Sequence, residues 1–167
     1  MGACMNRTEY LNSIEENLYQ GEVLGEAVFA RFLAQERDPL RRYKWGSLLQ
    51  LESETKVRLR PFLVRLGLSV ADADVKERAD GFALNYVTTP WADHMKMVVD
   101  VTDFYLGKFR KVADFAPDSD REITQAMIAH EQAIQDFAKA ELAGNQRTSI
   151  DAVVRQLKFP IAIAASG

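Results

Sequence analysis

The stretch "GLSVADADVKERADGFALNYVTT", residues 67–89, decides how this chain folds, because it interrupts a sequence that otherwise repeats with helical spacing. It is charged, weakly periodic and long enough to hold one short helix. Upstream of it, a first helix is expected from about Asn6 to Glu36, with Asn6 and Glu9 as a capping pair. Its apolar face reads Leu11, Ile14, Leu18, Gly25, Phe29 and Phe32, and Glu22 falls inside that series. "ERDPLRR" ends this helix. Asp38 suits an N-cap and Pro39 the first helical position, so a second helix begins at once. Its stripe is Trp45, Leu48, Leu49, Glu52, Thr55, Leu59, Phe62 and Leu66, closed by Gly67. So short a turn makes these two helices an antiparallel hairpin.

Downstream, Thr89 and Pro90 repeat the cap-then-proline start and open a third helix that runs to about Phe115. Trp91, Met95, Val98, Thr102, Tyr105, Phe109 and Val112 form its apolar face. In "APDSDRE", Ser119 and Glu122 read as a capping box for a fourth helix, which Gly144 ends. That helix contains "QAMIAHEQAIQDFAKAEL", residues 125–142, where His130 and Glu131 interrupt an apolar seam of Met127, Ile134 and Phe137. A short last helix is expected from about Ser149 to Lys158, ahead of Pro160. No strand-like alternation competes with these patterns. The expected class is all-α, in one domain of 167 residues, with a bundle over about 6–144 and a short helix and tail over 145–167.

The length of the connection then selects the topology. A helix of about 27 residues is about 40 Å long, and roughly 22 linker residues at up to about 3.3 Å each can retrace it. Two hairpins joined by a long crossover need such a linker, whereas a simple up-down bundle does not. Measured from the turn near Asp38, Glu22 lies about 24 Å up the first helix and Glu52 about 21 Å up the second. With a crossover, Asp100 and Asp103 come to about 20 and 24 Å, and His130 and Glu131 to about 20 Å. Four helices thus bring an acid or a histidine to one level. His94, the other histidine, comes out near 10 Å and is expected as a capped or partly exposed residue.

Composition narrows the function classes. A net charge of −3 argues against nucleic acid as the main partner. Cys4 stands alone, so one chain offers neither a disulfide framework nor a cysteine-based zinc site. The apolar "IAIAAS" near the end is too short to cross a bilayer. With no export signal visible, a cytoplasmic location and no membrane partner are expected. Neither a hydrolase triad nor a glycine-rich phosphate loop is present.

The segments "NLYQGEVLGEAVF", "LLQLESETKVRLRPFL" and "AHEQAIQDFAKAEL" place acids inside apolar stripes, and in this the chain resembles the ferritin-like superfamily, which includes rubrerythrins and bacterial ferritins. The resemblance covers about Asn6 to Gly144 and implies a four-helix bundle with a carboxylate-bound dinuclear metal site, iron or manganese. By that resemblance Glu22 would be the single ligand of the first helix and Glu52 would lead the motif of the second. Asp103 or Asp100 would stand for the third helix's glutamate, and Glu131 would lead the fourth helix's motif beside His130. The chain departs from the family at both Glu-x-x-His motifs: Thr55 follows Glu52 by three positions and Ile134 follows Glu131 by three.

Two readings of the polar layer follow. In the first, Glu22, Glu52, Asp103, His130 and Glu131 hold iron or manganese in an oxidoreductase acting on a small apolar substrate. In the second, His130 satisfies Glu22, Glu52 or Tyr105 by hydrogen bonds, and the bundle is a metal-free binding or oligomerisation module. A second face of the first helix, Val23, Ala27, Ala30 and Ala34, would suit a homodimer partner.

Overall fold

The computed structural model describes residues 5–162, so Cys4 and the last part of the "IAIAAS" tail lie outside the described residues. Every regular element among the described residues is helical. The first helix comes in three consecutive pieces: α1 (Arg7–Ser13), a π turn (Ile14–Tyr19) and α2 (Gln20–Gln35). Asn6 opens it, its side chain accepting from the Glu9 N–H at 3.0 Å while Glu9 accepts from the Asn6 N–H at 2.8 Å. The π turn widens the spiral and rotates the inner face. That face reads Tyr10, Ile14 and Leu18, with Tyr19 buried beside it, while Leu11 is only half-buried.

Asp38 caps α3 (Pro39–Leu66), accepting from the Arg41 N–H at 2.8 Å. Gly67 stops the helix in the left-handed region, with φ of 73°, where a side chain would be strained. The crossover then carries α4 (Lys76–Ala83), which packs along α2 with Arg31 paired to Asp80 at 2.5 Å. Gln20 pins its start, donating to the Ala71 carbonyl at 2.9 Å and accepting from the Ala73 N–H at 3.0 Å. The remaining helices are α5 (Trp91–Phe115), α6 (Arg121–Leu142) and the single turn α7 (Asp151–Val154).

Contacts at the two ends set the helix directions. At one end Tyr86, just before α5, receives the Trp45 indole N–H at 2.6 Å and donates to Glu36 at 2.5 Å. Trp91 donates to Glu141 at 2.7 Å at the same end. At the other end Asp120 accepts from the Tyr10 hydroxyl at 2.8 Å and from Arg65 at 2.6 Å. Helices α3 and α5 therefore run the same way, and α2 and α6 run against them.

Several expectations are corrected. Thr89 does not cap α5: its hydroxyl donates back to the Asn85 carbonyl at 2.8 Å, and Pro90 occupies the cap position. Ser119 and Glu122 form no capping box. A 3-10 turn (Asp118–Asp120) precedes α6, Ser119 donates to Asp120 at 2.8 Å, and Glu122 faces solvent. The last helix is shorter than its sequence implies: it ends at Val154, Gln156 and Leu157 make tighter turns back to Val153 and Val154, and the N–H groups of Lys158 and Phe159 bond to Glu54 at 2.7 and 2.9 Å. The face proposed for a dimer is partly used within the chain. Val23 is buried in the core, and Ala27 is half-buried and packed against it on the helix that α4 covers.

The apolar interior has two parts. Phe29, Phe32, Trp45, Tyr86 and Phe137 pack near the α2–α3 turn, and Tyr10, Ile14, Leu59, Phe62, Phe109 and Met127 pack near the other end. Between them, α2, α3 and α6 each turn a polar side chain inward.

Candidate metal centre

Those side chains are Glu22 from α2, Glu52 and Thr55 from α3, and His130 and Glu131 from α6. Each sits in register with the apolar residues one turn away, so the burial that makes the helices amphipathic also carries the polar groups inside. Exposure is 2% for Glu22, 5% for Glu52 and 2% for His130. One ligand atom from each of the three lies within 4.8 Å of the others. His130 Nε2 is 3.3 Å from Glu22 Oε2 and 3.8 Å from Glu52 Oε1. Even so, Glu22 Oε2 and His130 Nε2 complete no hydrogen bond. The far side of the ring is held: His130 Nδ1 is 3.1 Å from Thr55 Oγ1. A proton on Nδ1 would be donated to Thr55 and leave the Nε2 lone pair facing both carboxyls.

Burial dominates the protonation of this group. It pushes the Glu22 carboxyl well above the ordinary carboxylate range, with the Glu52 charge adding to the rise. Glu52 is pushed up to about 8, mainly by burial. Glu131 is also raised well above its usual value, by burial first and the Glu52 charge second. His130 is lowered to about 3 by burial, so its ring is neutral at pH 7. Without a cation the cluster must therefore hold protons that a metal would displace.

Gly25 makes room for the cluster. A Cβ at this position would lie 2.6 Å from both Cδ and Oε2 of Glu52. No such contact is tolerated without a shift, so the Glu52 carboxyl would have to leave its place in the cluster. Gly25→Ala is expected to displace Glu52 and cost about 1–3 kcal/mol of stability, which denaturant titration of the variant checks. In the sequence Gly25 read as a member of the apolar stripe. A glycine inside a long helix costs about 1 kcal/mol relative to alanine, and that cost was the signal that something approaches its Cα.

Not every expected residue joins the group. Asp103 is exposed, because the inner position of α5 is taken by Thr102, whose hydroxyl donates to the Val98 carbonyl at 2.8 Å. Asp100 is exposed at the mouth of a cavity. His94 is buried rather than partly exposed; its Nε2 lies 3.0 Å from the Tyr86 carbonyl and its ring packs on Tyr86. Glu26 turns away from the cluster to Ser53 and Lys56.

Two cavities flank the cluster. One, of about 380 Å³, is mainly apolar and reaches Glu22, Glu52 and Glu131. The other, of about 640 Å³, lies on the His130 and Thr55 side and is bordered by Lys158 and Phe159. Set beside known proteins, the chain matches no family model, no curated protein and no solved structure.

Proposed function

We propose that this chain is a ferritin-like helical bundle in which Glu22, Glu52 and His130 hold one ion of iron or manganese, and that it is an oxidoreductase acting on a small apolar molecule. The parallel course of α3 and α5, joined by the crossover, supports the ferritin-like reading. One observation carries the metal site: Glu22, Glu52 and His130 each bring a buried ligand atom within 4.8 Å of the others, and two atoms of this same cluster, Glu22 Oε2 and His130 Nε2, have no hydrogen-bond partner. Buried polar groups left in this state are costly, and a shared cation would satisfy them together.

The donor set of two carboxylates and one imidazole suits iron or manganese. It fits one ion better than two, since Thr55 and Ile134 stand where a dinuclear site has imidazoles, and α5 contributes Thr102 instead of an acid. Such an ion would supply electron transfer with dioxygen or peroxide. The protein's own part is to fix the His130 ring through Thr55, to keep water from the carboxyls with Phe29 and Ile134, and to let Glu131 retain a proton beside the apolar cavity.

The test is elemental analysis of untagged protein, before and after anaerobic addition of ferrous iron. About one iron or manganese per chain, lost in Glu52→Ala, is the expected result. No bound metal, with melting unchanged by chelator and by iron, would overturn the proposal and leave a metal-free binding or oligomerisation module in which protonated carboxyls and the Thr55–His130 contact complete the layer.

A further inference from the structure

The cavity that reaches the carboxyls is graded from one end to the other. Leu24, Val28 and Phe29 of α2, Phe82 of α4, and Val101 and Phe104 of α5 form its walls. Its inner end is made of Glu22, Glu52 and Glu131, and its outer end holds exposed Arg78 and Asp100. Other cations near the mouth are engaged: Arg31 and Lys76 both pair with Asp80, and the Lys108 ammonium sits over the Phe104 ring at 5.2 Å from its centre. Arg78 makes no ion pair among the described residues and lies beside the Tyr105 hydroxyl.

We infer that this cavity binds a medium-length monocarboxylate, with its hydrocarbon part inward and its carboxylate at Arg78. Size follows from volume: at about 30 Å³ per heavy atom, the share of a water in the liquid, the 380 Å³ cavity takes about a dozen heavy atoms. Polarity follows from the walls, which offer dispersion and desolvation to a hydrocarbon and nothing to a sugar or a peptide. Orientation follows from charge. An anionic head carried inward would lose its water beside carboxyls that already hold protons and offer it no cation, and it finds a cation at the mouth, where a guanidinium takes a carboxylate in a two-pronged bond. Asp100 at the same mouth penalises a second negative charge. An ammonium head would face Arg78 outside, and inside it would be desolvated beside carboxyls that have to release protons before they can pair with it.

This inference rests on the proposed metal site only for the chemistry at the inner end of the ligand. Its test is calorimetric titration of decanoate, decan-1-ol and decylammonium into chelator-treated full-length protein. Saturable binding of one decanoate per chain is expected, weakened by about tenfold or more in Arg78→Gln while decanol binding is nearly unchanged. Val101→Trp, which fills the cavity, should remove binding of both, with circular dichroism confirming its fold; Val28→Phe serves if that variant does not fold. Absence of saturable binding, tighter binding of decylammonium, or an unaltered decanoate affinity in Arg78→Gln would overturn the inference. Metal content is measured separately, so decanoate binding without metal removes only the redox reading, and metal without decanoate binding removes only this one.

Discussion

Lys44→Met is expected to lower unfolding free energy by about 3–5 kcal/mol. Lys44 and Glu141 form an ion pair with side-chain exposures of only 2% and 1%. Glu141 also accepts from the Trp91 indole at 2.7 Å and from the Ser149 hydroxyl. Removing the ammonium leaves a carboxylate in the interior with two neutral donors, too few to replace either water or the lost charge. The cost is that of an abandoned charge, so it measures breakage and not the net worth of the pair. Lys44→Met with Glu141→Leu should therefore recover part of the loss, because an apolar pair of similar volume leaves no buried charge and only the Trp91 indole N–H and the Ser149 hydroxyl without their Glu141 acceptor. Urea unfolding of the two single variants and the double variant gives the cycle. A double variant no more stable than Lys44→Met would show that packing around the stems, not charge, is what the site depends on.

The second large effect is a dependence on pH that reverses with metal. Glu52 has a folded-state value of about 8 against an ordinary 4.5, so the folded chain holds its proton more tightly than the unfolded chain. Such a group contributes its stability below pH 4.5 and loses it as pH rises through 8. Glu22 and Glu131 shift in the same direction. His130 runs the other way: lowered to about 3 from 6.5, it stabilises above pH 6.5 and loses that contribution as pH falls toward 3. Between pH 6.5 and 8 only the carboxyls titrate. Chelator-treated protein should lose about 2 kcal/mol for each carboxyl that stays protonated across that window, at about 1.4 kcal/mol per pH unit. Metal at the proposed site needs Glu22 and Glu52 ionised, so metal-loaded protein should gain or hold stability over the same range. Melting curves at pH 6.5, 7.2 and 8.0, with chelator and with manganese, read out both slopes. Parallel slopes in the two conditions would contradict metal binding at these carboxyls.

Helix ends and heights were legible in the sequence because they depend on short-range chemistry and a fixed rise. Asn6, Asp38 and Gly67 act on their own neighbours, and the structure uses each of them at a helix terminus. Counting residues from the Asp38 turn brought Glu22, Glu52 and His130 to one level because 1.5 Å per residue tolerates an error of two positions. Rotation about the helix axis tolerates no such error. One residue is about 100° of turn, which is why Asp103 and Thr102 could not be told apart by height, and why the π turn at Ile14–Tyr19 moved the inner face from Leu11 to Tyr10. The shortened last helix was illegible for a different reason. The segment after Val154 is held by the Glu54 carboxylate, 104 positions away from Lys158 in the chain.

The crossover also fixes when the cluster can exist. Each hairpin, α2–α3 and α5–α6, is built from neighbours in sequence and can form early, but Thr55 and His130 lie 75 positions apart and meet only when the hairpins dock. A ribosome must therefore extrude the α5–α6 hairpin before His130 can reach Glu22 and Glu52. Until then Glu22 and Glu52 sit in water as ordinary surface acids with no strong claim on any ion. At the proposed site, metal capture would follow docking of the hairpins, so the rate at which a refolding chain acquires manganese should report docking of the two hairpins, not formation of either one.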